Sequence, residues 1–223
     1  MKNSLLTFIT ISLFSANVFA GSKAADKNYQ FCDDITKVDK LLDRSRESVE
    51  RIKAEGLKIE RIVVSKDRKE IYLISGETML RVYPVAFGSN PVGHKQFEGD
   101  GKTPEGIYSV DYKNPQSEFT KALHVSYPNK KDVEFAKSQG KSAGGDIMIH
   151  GLPRDDRKRQ AISIIHPMNW TRGCVAVTNE QIEDIYALVK ENTLVEICKM
   201  TTDENEEEKP ADGRTTVSIP AKK

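Results

Sequence analysis

Apolar residues recur at three- and four-residue steps early in the chain, at Ile35, Val38, Leu41, Leu42, Val49 and Ile52. That period predicts a helix from Asp34 to Glu55, with Gly56 as its C-cap. Its other face carries Lys37, Asp39, Lys40, Asp43, Arg44, Glu47 and Glu50. Mixed charges at helical spacing read as a solvated face, with partner docking as the alternative. After Leu57 the period changes to that of strands. Ile59 to Ser65, Glu70 to Ser75 and Met79 to Phe87 are rich in Val, Ile and Tyr, and Lys66–Lys69 and Gly76-Glu77 separate them as hairpin turns.

Gly88 to Gly106, punctuated by Pro91 and Pro104, reads as one long shaped loop. Further strands are predicted at Ile107 to Tyr112, Ala122 to Tyr127, Ile147 to His150 and Thr193 to Cys198. Arg154 to Gln160 is strongly charged and is expected at the surface. Asn179 to Val189 is predicted helical, with Ile182, Ile185 and Leu188 on one face and Thr178 or Asn179 as its cap. The pattern gives a mostly β (α+β) fold with two or three helices and no internal repeat.

Composition narrows the class without naming the chemistry. Of 223 residues, 38% are hydrophobic and 30% charged, which suits one globular domain with appendages and excludes a polytopic membrane protein. Lys and Arg number 34 against 33 Asp and Glu, so there is no global basic field to collect nucleic acid. At the start, Lys2, the apolar stretch Leu5 to Phe19 and Val18-Phe19-Ala20 read as a cleaved secretory signal over residues 1–20. An uncleaved anchor is the competing reading. Residues 21–56 then form the helical segment, residues 57–200 the main domain, and residues 201–223 an acidic and Lys-rich tail expected to be solvated. With the signal removed, stable membrane insertion is not expected.

Candidate chemistry centres on Thr171-Arg172-Gly173-Cys174. A thiol nucleophile needs a base and donors for the oxyanion it creates. Gly173 lets the backbone approach a substrate closely, and Arg172 is expected to lower the Cys174 pKa. His150, followed by Gly151 at the end of an apolar strand, could project towards the thiol. Taken singly, each also reads as structural: Cys174 as a buried small hydrophobe, His150 as a satisfied strand-end residue.

The motifs Ile147-Met148-Ile149-His150-Gly151 and Thr171-Arg172-Gly173-Cys174-Val175-Ala176-Val177 together resemble the L,D-transpeptidase (YkuD-type) catalytic domain family, in the branch with Trp-Thr-x-Gly-Cys. Phe87–Lys95 and Gly99–Gly106, with Thr103-Pro104-Glu105-Gly106, resemble that family's loop. The resemblance covers Leu57 to Lys199. It departs from the commonest pattern in Arg172, where many members have histidine, and in a longer interval from His150 to Cys174 that includes His166-Pro167.

The resemblance implies a sandwich- or barrel-like β fold and a cysteine enzyme of peptidoglycan, acting in the periplasm at diaminopimelate of stem peptides. Cys174 would be the nucleophile and His150 the general base, with Gly151 orienting the histidine. The N–H groups of Gly173 and Cys174, with Arg172, would hold the oxyanion; the alternative for Arg172 is to grip a stem-peptide carboxylate. Transfer to an amine, hydrolysis as a carboxypeptidase, release of a wall-linked lipoprotein, and wall binding without catalysis all remain open. No cofactor is implied, and His94, His124, His150 and His166 lack metal-ligand spacing. His94 reads as a loop or cleft-wall residue, His124 as structural, and Trp170 as packing beneath the Cys174 loop. In an oxidising compartment Cys32 and Cys198 are expected to pair and leave Cys174 free, the alternative being that both stay reduced and buried.

Overall fold

The computed structural model describes residues 31–165 and 168–200. The expected signal segment, the 201–223 tail and the His166-Pro167 pair lie outside the described residues. The fold is mostly β, of α+β class. Among the described residues nine strands form one mixed sheet: β1 (Leu42–Asp43), β2 (Arg61–Ser65), β3 (Glu70–Ser75), β4 (Thr78–Pro84), β5 (Gly106–Asn114), β6 (Ala122–Val125), β7 (Met148–His150), β8 (Val175–Ala176) and β9 (Leu194–Cys198). Their order is β1-β4-β3-β2-β9-β5-β6-β7-β8. Among the described residues four α-helices flank it: α1 (Val49–Ala54), α2 (Lys130–Ser138), α3 (Asp156–Ile165) and α4 (Asn179–Leu188).

The meander β2–β3–β4 is antiparallel, while β2 runs parallel to β9 at the centre of the sheet. β2 is apolar on successive residues because both its faces are covered. Ile62 and Val64 enter the main core, whereas Val63 enters a second cluster with Phe31, Val38, Tyr72 and Ile74. Beyond β4 the chain returns to the far edge of the sheet. Ala86 exchanges both backbone bonds with Ala176, and Thr171 N–H donates to Phe87 O at 3.0 Å. The sheet thereby curls towards closure, and Cys174 lies in the seam.

The predicted helix over Asp34–Glu55 is divided. Asp34 caps a 3-10 turn, Ile35–Lys40, and Leu41 is already extended. Leu42–Asp43 pairs in parallel with Thr78–Met79, and a new helix starts at Val49 behind the Ser48 cap. The free edge of β4 offers backbone partners, and the Asp43 carboxylate accepts the Ser45 N–H at 2.8 Å, a local bond that competes with helix. Leu42, assigned by period to the apolar face, is 63% exposed.

The N-terminal segment is tied down by a disulfide between Cys32 and Cys198. Beside it, buried Glu196 accepts the Cys32 N–H at 2.8 Å and pairs with Arg61 at 2.5 Å. Helix α2, for which the period gave no signal, rests on an Asn129/Asp132 capping box. The charged Arg154–Gln160 stretch leads into α3, which buries none of its residues.

Candidate active site

Strand register brings the two candidate residues to one face. β7 and β8 are parallel, with Ile149 opposite Val175 and His150 opposite Ala176. One residue earlier, the Met148 N–H donates to Cys174 Sγ at 3.4 Å. Met148 and His150 are two apart on β7 and share a face, so the thiol and the imidazole are diagonal neighbours with Cα atoms about 7–8 Å apart, within reach of their side chains. Between them on the opposite face, Ile149 and Val175 are fully buried in the core.

The histidine is held by its own strand end. His150 Nδ1 lies 2.7 Å from Gly151 O, and a carbonyl can only accept, so Nδ1 carries the proton and Nε2 is bare in the neutral ring. Gly151 is fixed by donating to Phe119 O at 3.1 Å. A Cβ there would stand 2.7 Å from Ile182 Cγ2 and 2.8 Å from Asn179 Oδ1, so no larger residue fits. The Asn179 amide oxygen also accepts from Leu152 N–H and the Thr120 hydroxyl, which pins the segment after the histidine to the start of α4.

The ring itself is walled by aromatics, Phe119 at 4.4 Å and Trp170 at 5.8 Å between centroids. Burial therefore pushes the imidazole down to about 4, against a smaller opposing effect of the Gly151 bond. Trp170 packs on His150 rather than simply beneath the thiol loop, and its Nε1 is buried without a hydrogen-bond partner among the described residues.

The turn that carries Cys174 is clamped by Thr171, whose hydroxyl donates to Cys174 O at 2.7 Å and accepts the Gly173 N–H at 3.1 Å. This corrects the expected oxyanion pair. Of the two, the Gly173 N–H is occupied inside the turn, whereas the Cys174 N–H is without a partner among the described residues. Gly173 serves another purpose: at φ 134°, a Cβ would stand 2.5 Å from Lys102 O. Gly88 is equally confined, its hypothetical Cβ lying 2.1 Å from Gly101 O and 3.1 Å from Gly173 Cα. Three backbones meet here without side chains, which is what the glycines of the long loop provide.

A buried cation organises that loop. Lys66, read from sequence as a turn residue, is fully buried. Its Nζ donates to Pro91 O, Gly93 O and Thr103 O at 2.7–3.1 Å and to Glu105 Oε1 at 2.8 Å. Burial lowers its pKa, and Glu105 opposes that. Thr103 Oγ1 in turn accepts the Gly88 N–H. His94 lies in the same loop: Glu105 N–H donates to Nδ1, and Nε2–H donates to Asp132. It is a loop anchor.

The electrostatics overturn a second expectation. Burial pushes the Cys174 thiol up; the Met148 N–H lowers it, Asp146 raises it, and Lys95 lowers it. Arg172 does not enter. It is exposed and has no hydrogen-bond partner among the described residues, because the Thr171 clamp turns residue 172 outwards. A raised thiol and a depressed imidazole mean that the resting pair is neutral, not a thiolate–imidazolium ion pair. Among the described residues no group of three or more His, Cys, Asp or Glu is placed to hold a metal ion, and no helix is long and apolar enough to cross a membrane.

A model of the YkuD L,D-transpeptidase catalytic domain matches residues 59–197, more than half of the chain. YafK of Escherichia coli (strain K12), whose name assigns it to the L,D-transpeptidases, is 33% identical over 124 residues; these make up 54% of this chain and 42% of YafK. The helical cell shape determining protein Pgp2 from Campylobacter jejuni aligns at 26% identity and a TM-score of 0.46, over 69% of this chain and 56% of that one. Bd1075 of Bdellovibrio bacteriovorus aligns at 24% identity and a TM-score of 0.44, over 76% and 56%. The chain thus spans about half the length of the relatives it matches.

Proposed function

Because the chain belongs to the YkuD L,D-transpeptidase catalytic-domain family, we propose that it is a cysteine enzyme of peptidoglycan that acts in the periplasm on the bond following diaminopimelate in stem peptides. One observation carries this reading: with Nδ1 fixed on Gly151 O, the bare Nε2 of His150 is the base, on the sheet face that holds Cys174 Sγ. As sulfur attacks the peptide carbonyl, its proton passes to Nε2. The C–N bond then breaks, and the imidazolium gives that proton to the departing D-amino acid, leaving a thioester. The Cys174 N–H is the oxyanion donor, and such a donor is worth about 3–4 kcal/mol. Exposed Arg172, at the rim of the same turn, grips a substrate carboxylate.

An amine of a second stem peptide resolves the thioester in transfer; water resolves it in hydrolysis. The same acyl-enzyme would serve for a wall-linked lipoprotein. Purified mature protein and its Cys174→Ala variant, incubated with disaccharide-tetrapeptide, test the scheme by mass spectrometry. An acyl adduct on the wild type alone and loss of the terminal residue are expected. Dimers mark transfer, and tripeptides without dimers mark hydrolysis. Equal turnover by the variant would remove the thiol from the chemistry, and binding without any adduct would favour a wall-binding module.

A further inference from the structure

Lys66 follows the last residue of β2 and is wholly buried, although no step of the chemistry above passes through it. Taking an ammonium out of water is unfavourable unless its hydrogens are all matched, and an apolar side chain of that length would fill the same space. What an apolar side chain cannot do is fix four acceptors at once. Pro91 O and Gly93 O lie towards one end of the long loop, Thr103 O and Glu105 Oε1 at the other. An ammonium presents three hydrogens in fixed directions, so the two ends are held in one relative position rather than merely brought together.

The shortest of these bonds, at 2.7 Å, goes to Thr103, which is itself fully buried. The Thr103 hydroxyl accepts the Gly88 N–H, and the next N–H, of Ser89, donates to Thr171 O at 3.0 Å. Thr171 is the clamp of the cysteine turn. On the other side of Thr103, the Lys102 carbonyl stands against Gly173, where a Cβ would lie 2.5 Å from its oxygen. The peptide unit from Gly173 to Cys174 carries the Cys174 N–H. A glycine at φ 134° leaves that unit free to swing unless its neighbours hold it. Here the neighbours are Thr171 and Lys102, and Thr103 fixes both.

We propose that Lys66 is a positioning residue for acyl transfer: through Thr103 it sets the direction of the Cys174 N–H that receives the oxyanion, and it leaves the thiol itself unchanged. This rests on the cysteine-enzyme reading and adds the residue that aims its donor. Two reactions of one sulfur tell aim from structure. Acylation passes through a tetrahedral oxyanion and uses the donor. Alkylation by iodoacetamide displaces iodide from a saturated carbon and forms no oxyanion. A misdirected donor slows the first and spares the second, whereas a disordered turn alters both.

With p-nitrophenyl acetate as acyl donor, the whole protein tests this without any stem peptide. Sulfur adds to the ester carbonyl, its proton passes to His150 Nε2, the C–O bond breaks and p-nitrophenolate leaves with the electron pair. Cys174 is the free thiol, and Cys174→Ala gives the background for both reagents. Lys66→Met/Glu105→Gln removes both buried charges together, so no carboxylate is left unpaired. Its acylation rate is expected to fall at least about tenfold, with alkylation within about twofold of wild type. A second pair cuts the next link: Thr103→Ser keeps the hydroxyl and should keep both rates, while Thr103→Val should lose acylation selectively. That pair decides the matter if the Lys66 variant does not fold. Acylation that ignores Lys66 or Thr103, or that falls together with alkylation, overturns the proposal. So does a wild type whose ratio of acylation to alkylation is no higher than that of free cysteine, since there is then no donor to aim. Selective acylation lost in these variants, without wild-type turnover of disaccharide-tetrapeptide, instead overturns the peptidoglycan reading and leaves the positioning role.

Discussion

Cys198 and Cys174 belong to the same sheet and differ in what faces them. Cys198 closes β9 at the sheet centre, opposite Ser65, and the N-terminal segment brings Cys32 onto it. Cys174 precedes β8 at the sheet end, where it meets the Met148 N–H, the Asp146 carbonyl and the face that carries His150. Cys198 is surrounded by apolar Phe31, Val38, Val63, Tyr72 and Ile74. Cys174 is surrounded by backbone, because Gly173, Gly88 and Gly101 bring main chain where side chains would otherwise be. A cysteine packed in side chains becomes a cross-link or core atom; one packed in oriented backbone can do chemistry.

The largest test of that contrast removes the cross-link. In the chain-entropy account, a bridge across a sequence separation of 166 residues stabilises by roughly 4–5 kcal/mol. Urea unfolding of a Cys32→Ser/Cys198→Ser protein should show a loss of that order, while alkylation of Cys174 in the folded protein keeps its wild-type rate. If thiol reactivity falls along with stability, the two regions are coupled and the contrast fails.

Next in size is acid. His150 is held near 4 by burial between Phe119 and Trp170, against about 6.5 in the unfolded chain. Between those values the unfolded state binds the extra proton, so stability is lost as pH falls through that window. The shift corresponds to about 3 kcal/mol. Denaturant titrations at pH 7.5 and pH 4 should show this excess loss in wild type and not in His150→Gln. Equal losses would place the acid-sensitive group elsewhere.

What was legible in the sequence follows from where its physics is local. β3 and α4 emerge from period and capping alone, because Thr178 and Gln181 form a box within four residues and the β3 run alternates with its turns. The Thr-x-Gly-Cys and His-Gly motifs pointed to the candidate site, since glycine beside a candidate residue signals backbone approach. The broken helix at Leu41 was not legible, because the partner that diverts it is the edge of β4, thirty-odd residues away. Neither was Lys66, whose acceptors lie 25–39 residues downstream and cluster only after the loop folds back. The occupied Gly173 N–H depends on a hydroxyl rotamer at Thr171, which spacing cannot specify. The Thr before x-Gly-Cys was the available signal for that clamp.

The smallest expected effect separates residue 172 from the thiol two positions on. In sequence a guanidinium beside cysteine suggests an activated thiolate; in the structure burial raises the thiol and Arg172 faces solvent. Two quantities therefore divide in Arg172→Ala. The rate of alkylation by neutral iodoacetamide should change by less than about twofold, and it should keep rising with pH beyond the free-cysteine value of about 8.5, as a raised thiol requires. KM for disaccharide-tetrapeptide should rise by about three- to tenfold, since one exposed charged contact contributes on the order of 1 kcal/mol. An alkylation rate that drops tenfold with an unchanged KM would return the guanidinium to the thiol. The Thr171 clamp would then hold the turn without deciding which way its middle residue acts.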